Sequence, residues 1–200
     1  MNKLIIVEGA DDRDFLQELI KQQNNLSSKK DIEEKLKIRI LPLIGNYTKL
    51  SKSEIKIKQE IIDNEAEKVC LILDSDVNPK DKVEEAWNEL GLEFDKNNLS
   101  IFLIENCLED LILKSINQES SVQKYMQNYF SNLNKEVYKD CSLEWKHLAK
   151  KQLAVYLSGV KLLKFTATPN CVQHDYCNEY INLEHKAFSN LKQFLQEFVK

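Results

Sequence analysis

The chain has 200 residues, enough for one domain of ordinary size with a sizeable core and a small helical appendage. Its 42% hydrophobic and 30% charged residues are those of a folded globular chain, and a net charge of −4 means that a nucleic-acid role would rest on local lysines or bound metal, not on a global basic field. Five cysteines, an odd count, with no signal-peptide pattern and no apolar run of membrane-spanning length, predict a cytoplasmic protein in reducing surroundings that does not enter the membrane.

In chain order, residues 3–7 (KLIIV), 38–43 (IRILPL), 69–73 (VCLIL) and 99–104 (LSIFLI) are short apolar runs without strict alternation, the pattern of strands buried on both faces. Helical stretches lie between them at 11–23, 52–65 and 80–90, the first with Phe15, Leu16, Leu19 and Ile20 on one side. Asp11 is the expected cap of the first helix, and Pro79, followed by Lys80 and Asp81, opens another. Residues 24–37 read as a polar connection with one helical turn or more. This alternation predicts a parallel α/β sheet of about four strands flanked by helices. Beyond residue 105 the pattern is helical, with candidates at 107–117, 120–133, 142–157 and 184–199. The last carries Leu183, Phe188, Leu191, Phe194, Leu195 and Phe198 for core packing. The expected organisation is an α/β domain over 1–117 and a helical C-terminal extension over 118–200 packed on it.

Acidic residues follow the strands. Glu8 and Gly9 end the first, with Asp12 four residues beyond Glu8 and Gly9 allowing a sharp turn where a Cβ would crowd. Asp74 and Asp76 flank Ser75 after the third, and Glu105, Glu109 and Asp110 follow the fourth. Open α/β sheets place ligand chemistry at the carboxyl ends of their strands. Carboxylates gathered there repel one another unless neutralised, and Mg²⁺ or Mn²⁺ is the economical neutraliser.

VEGADDRDFL and LILDSDVNP, in this order and each closing a strand, resemble the TOPRIM domain of topoisomerases, bacterial primases and the overcoming-lysogenization-defect (OLD) nucleases. The likeness covers about residues 3–115, and the rest is similar to small stand-alone TOPRIM-like proteins related to the nuclease branch. It implies a TOPRIM-like, Rossmann-like sheet and a two-metal nuclease using Mg²⁺ or Mn²⁺. Glu8 would be a metal ligand or general acid/base, Asp74 and Asp76 the paired metal ligands, and Asp12 an additional acid. Glu109 would help hold a second metal, with Glu105 the competing residue for that role. The nuclease branch also uses a lysine against developing phosphoryl charge, and WKHLAKKQLAVYL offers Lys150 or Lys151.

The implied partner is nucleic acid, DNA ahead of RNA. Phosphate contacts are expected from Lys49, Lys52, Lys56 and Lys58, and from Lys161 and Lys164. No G-x-x-x-x-G-K-[ST] occurs, so an ATPase or effector would be a separate chain. The alternative function is a non-catalytic, Mg²⁺-binding regulatory or partner-binding module. A dehalogenase-like phosphatase fits less well, because Asn78 stands where that motif prefers Thr or Val. Cys171, His174, Cys177 and His185 have ligand-like spacing for zinc, but it is not that of the usual paired knuckles.

Overall fold

Apolar runs with β-branched residues become four strands in the computed structural model: β1 (Asn2–Val7), β2 (Ile38–Pro42), β3 (Ala66–Asp74) and β4 (Leu99–Ile104). The structure describes residues 2–43, 45–75, 77–92, 98–116, 121–136, 149, 152–156 and 181–200. The strands form one all-parallel sheet in the order β2-β1-β3-β4. Ile6 lies opposite both Leu41 and Leu71, and Asp74 opposite Ile104. The central strands β1 and β3 are buried over most of their length, whereas edge strand β4 is half-exposed up to Ile104. Parallel neighbours require crossovers. Helices α1 (Ala10–Gln23) and α2 (Lys30–Leu36) join β1 to β2, α3 (Glu54–Asp63) joins β2 to β3, and α4 (Lys80–Asn88) joins β3 to β4. This is a Rossmann-like α/β arrangement.

Side chains along each strand alternate between the two faces of the sheet. Leu4, Ile6, Leu41, Val69, Leu71 and Leu73 meet Ile57 of α3 and Val83 and Trp87 of α4 in one apolar cluster. The intervening set, Ile5, Val7, Cys70 and Ile72, points to the other face. There Phe102, in register with Ile72, meets Phe194 of the last helix, α7 (Ser189–Val199), at a ring-centroid distance of 4.8 Å. The Gln23 side chain donates to Lys192 O at 3.1 Å, so α1 and α7 lie side by side. The almost fully buried Lys3 donates its ammonium to Val199 O, and burial, with the nearby charge of Lys68, lowers its pKa. Leu191, Leu195 and Phe198 are buried, as expected of a core-packing helix.

Residues 30–36 form a short helix, α2, within the connection where one helical turn or more is expected; its second residue, Asp31, reaches back, and its Oδ2 accepts from Ser27 N (3.0 Å), Ser27 Oγ (2.6 Å) and Ser28 N (3.1 Å). Other local features differ from the sequence expectation. The stretch before α3 is two 3-10 turns, Tyr47–Lys49 and Ser51–Ser53. At α1 the N-cap is Gly9, not Asp11, and the cap bond comes from Asp12, whose Oδ2 accepts from Gly9 N at 2.7 Å. Gly9 has extended backbone (φ −139°, ψ 176°), open to any residue, and a Cβ there would meet only Asp12 Oδ2 at 3.3 Å. The backbone itself does not call for glycine here, but the contact is tight, so a Cβ would press on the Asp12 carboxylate that caps the helix. Gly45 is where one is required, because its φ is +106°.

The chain divides into two compact units. Met1–Asn106 with Asn190–Lys200 forms the first, and Cys107–Ser189 the second. In the second unit, α5 (Leu108–Ser115) packs against the 3-10 turn Lys186–Phe188, and Ile116 bridges Ile181 in antiparallel sense. Helix α6 (Ser121–Glu136) follows α5, and Leu153 and Tyr156 are buried farther on. Among the described residues, no helix is long and apolar enough to cross a membrane.

Candidate functional site

The carboxyl ends of the four strands are stitched together beyond the regular ladder. Leu43 N donates to Val7 O (2.7 Å) and Gly45 N to Glu8 O (3.2 Å), which carries the chain leaving β2 past the end of β1. Ser75 N donates to Ile104 O (2.8 Å), and Ser75 Oγ accepts from Asn106 N (3.0 Å), tying the exit of β4 to that of β3. Ser75, the residue between the paired aspartates, thus holds the neighbouring strand.

Glu8 and Asp74 come together on this edge because β1 and β3 are neighbours. Glu8 Oε1 accepts from Asp74 N at 3.0 Å. The same oxygen accepts from Asn78 Nδ2. Asn78 is fully buried; its Nδ2 also donates to Asp74 O at 2.7 Å, and its Oδ1 accepts from Tyr47 N at 2.7 Å. One amide therefore clasps the end of β1, the end of β3 and the segment leaving β2. A buried amide with both ends engaged is fixed in orientation, and it fixes the Glu8 carboxylate with it. In the sequence Asn78 counts only against a phosphatase motif, and this supporting role is not foreseen. Its signal was a polar side chain two residues beyond the acid pair, at a strand-to-helix junction where backbone groups leave the ladder and Pro79 supplies no N–H.

Asp74 is 9% exposed and Glu8 half-buried. Asp12 is half-buried one turn into α1, where its carboxylate caps the helix. Glu105 is exposed just after β4. Arg13, near the acids in sequence, is engaged by Asp14, with Nη2 to Oδ1 at 3.0 Å. Glu109 stands in the first turn of α5, in the second unit. Asp76, Lys150, Lys151, Lys161, Lys164, Cys171, His174 and Cys177 lie outside the described residues. His185, the fourth residue of the zinc expectation, accepts at Nδ1 from Ala187 N (3.2 Å) and so caps a 3-10 turn. Of the expected phosphate-binding lysines, Lys52 and Lys56 are exposed, whereas Lys58 is paired with Glu54 at 2.6 Å.

Among the described residues no group of three or more His, Cys, Asp or Glu is gathered for a metal ion. Glu8 and Asp74 stand at adjacent strand ends, and Asp76, the other acid of the pair in sequence, is not among those residues. Carboxylate oxygens, here on adjacent strand ends, are the donor type that hard divalent cations take. Mg²⁺ and Mn²⁺ fit such a set. The opposite, amino-terminal edge bears a cleft of about 310 Å³ lined by Lys3, Lys37, Arg39, Glu33, Asp63 and Glu65, where both signs of charge mix. It gives no comparable convergence of like donors.

Fold and site define a Rossmann-like α/β protein with acidic groups presented at the carboxyl edge of a parallel sheet. The chain belongs to the family DUF3226, described as proteins of unknown function, whose profile matches residues 2–200. No curated protein and no solved structure is significantly similar to it.

Proposed function

We propose that the protein is a metal-dependent phosphodiesterase of the TOPRIM type, cleaving nucleic acid, with DNA the leading substrate. The observation that carries this reading is the Glu8 carboxylate, held against the Asp74 backbone by a buried amide at the junction of two parallel strand ends. Orienting a carboxylate this firmly is a means of preorganising a ligand or base, which lowers the cost of assembling the site. Glu8, Asp74 and Asp76 would hold Mg²⁺ or Mn²⁺, with Asp12 and either Glu109 or Glu105 as further acids. When bound, such ions supply charge neutralisation and Lewis-acid polarisation of a phosphoryl oxygen. Glu8 would accept the proton of the attacking water, and Lys150 or Lys151 would face charge developing on the phosphoryl group. Asn78 and Ser75 would position, the one through Glu8 and the other through the adjoining strand.

A second reading is a non-catalytic, cation-binding module that regulates a partner such as a separate ATPase. It is favoured by the structural work that Glu8 and Asp12 already perform, one in the Asn78 clasp and the other as a helix cap. Incubating supercoiled plasmid, single-stranded DNA and RNA with the protein and Mg²⁺ or Mn²⁺, beside Asp74→Ala/Asp76→Ala, separates the two. Cutting lost in the variant is the expected result. A folded wild-type protein that binds Mn²⁺ but cuts nothing would overturn the nuclease in favour of the module.

A further inference from the structure

Two isoleucines on α3 stand in water. Ile55 is 84% exposed and Ile62 69% exposed, the most exposed aliphatic side chains among the described residues. Seven residues apart, they fall within about 20° of each other around the helix and about 10 Å apart along it. Ile57 and Ile61, on the other side, meet the apolar cluster on the sheet. Helix α3 is thus apolar on two sides, and packing on the sheet accounts for one of them. A single exposed isoleucine is ordinary; two in one stripe make a strip of surface for another molecule.

The polar residues around the strip distinguish the kinds of occupant. Gln59, exposed, lies between the isoleucines, with Lys56 and Asp63 on one flank and Lys58 on the other. Lys58 is held by Glu54 at 2.6 Å, and Glu60, farther round the helix, is held by Arg39 at 2.7 Å. Asp63 accepts from the Gln59 amide at 2.6 Å, a neutral donor that leaves its charge in place. Charge also runs lengthwise: Lys52, Lys56 and Lys58 belong to the entry and first half of the helix, Glu60, Asp63 and Glu65 to its second half and exit. A polyanion would meet the acidic half, and a uniformly basic partner would meet the lysines. A second copy of α3, laid antiparallel, escapes both conflicts. It sets Ile55 against Ile62 of the second copy and Lys56 beside Asp63 of that copy, and two-fold symmetry makes each contact twice. Parallel pairing would instead put lysine on lysine and aspartate on aspartate. Near the two-fold axis the Gln59 amides would meet, and each Lys58 is drawn by its own Glu54 one turn toward the start of its helix, away from its twin.

We propose that the Ile55/Ile62 strip of α3 joins two copies of this chain in an antiparallel, two-fold homodimer. An interface of one helix a side is small, so the association is weak and reversible. It stands whether or not the protein cuts nucleic acid. Sedimentation velocity of full-length protein from about 1 to about 200 µM, at low salt, should show monomer and dimer in concentration-dependent equilibrium. Ile55→Ser/Ile62→Ser should weaken dimerisation at least about thirtyfold, with the monomer's Tm unchanged because both side chains are in water. Lys56→Glu and Asp63→Lys should each weaken it about tenfold, by turning attraction into repulsion at two symmetric places. Lys56→Glu/Asp63→Lys in one chain should restore it to within about threefold of wild type. Wild-type protein that is monomeric throughout, a dimer indifferent to the isoleucine variant, or charge reversals that add instead of cancelling would each overturn the proposal. Monomeric protein whose affinity for labelled DNA falls in the isoleucine variant would also overturn it, and give the strip to nucleic acid.

Discussion

Replacing Asn78 with alanine should destabilise the protein far more than the loss of a surface amide. The wild-type side chain donates to Glu8 Oε1 and Asp74 O and accepts from Tyr47 N, with no solvent exposure. Two of these bonds join neutral groups, each contributing about 1 kcal/mol net, and the one to a carboxylate about 1.5–3 kcal/mol. Truncation also leaves Tyr47 N and Asp74 O to find new partners, offset in part if water enters the space. The expected loss is about 3–5 kcal/mol. For a chain of this size that lowers Tm by roughly 6–20 °C. Urea unfolding followed by circular dichroism reads the first quantity and a thermal scan the second. Asn46→Ala is the control: Asn46 Oδ1 accepts from Thr48 N at 3.3 Å in an exposed 3-10 cap, and its loss should cost about 1 kcal/mol or less. Asn78→Asp keeps the shape but replaces the donor with an oxygen against Glu8 Oε1 and Asp74 O, so at neutral pH it should rescue nothing. An Asn78→Ala protein within 1 kcal/mol of wild type, or full rescue by Asn78→Asp, would refute the clasp.

Other outcomes follow from groups away from this edge. Hydrogen bonds from Ser27, then that from Lys35, depress the Asp31 pKa well below the usual carboxylate range. Its contribution to stability is therefore present above the unfolded-state value, near 4, and is lost as pH falls toward the depressed folded value. Asp31→Asn should accordingly lower Tm at pH 7, with the gap to wild type closing below about pH 4; a gap that does not change between pH 7 and pH 2 would contradict a stabilising role for these bonds. Burial pushes the Cys70 thiol up, and Cys107 is equally enclosed. In native protein at pH 8 neither should be alkylated by iodoacetamide, as read by peptide mass spectrometry, whereas both should react in urea.

The sheet was legible because its strands are runs such as LIIV and CLIL, which no solvent-facing element tolerates, and because caps and Pro79 punctuate the helices between them. Edge strand β4 reads like its neighbours in sequence but is half-exposed, since position in the sheet depends on pairing across the chain. Helix α2 was hard to see, with Ile32 and Leu36 the only large apolar residues in its seven; its first turn is tied down by Asp31 accepting from Ser27, and it stops at Lys37, whose backbone is left-handed (φ 57°). At the carboxyl edge, strand ends followed by acids pointed to Glu8 and Asp74, and parallel pairing of β1 with β3 sets them side by side. The supports were not legible. Asn78 and Ser75 bond to groups 70 and 31 residues away along the chain, and no local pattern announces such long-range partners. Asp12 shows the opposite difficulty, since a motif acid and a helix cap are the same residue type at the same place.

The first compact unit is closed by a helix that comes last. Met1–Asn106 makes the sheet, but α7, which covers Phe102 and receives the Lys3 ammonium, belongs to Asn190–Lys200. During synthesis the ribosome must add residues 107–189 before that cover exists, a delay on the order of ten seconds at ordinary elongation rates. Through this interval one face of the nascent sheet is unfinished and edge strand β4 offers its unpaired side to other chains. Truncation after residue 189 would make the interval permanent, so dissection of this protein into an isolated α/β half should yield aggregation in place of a working fragment.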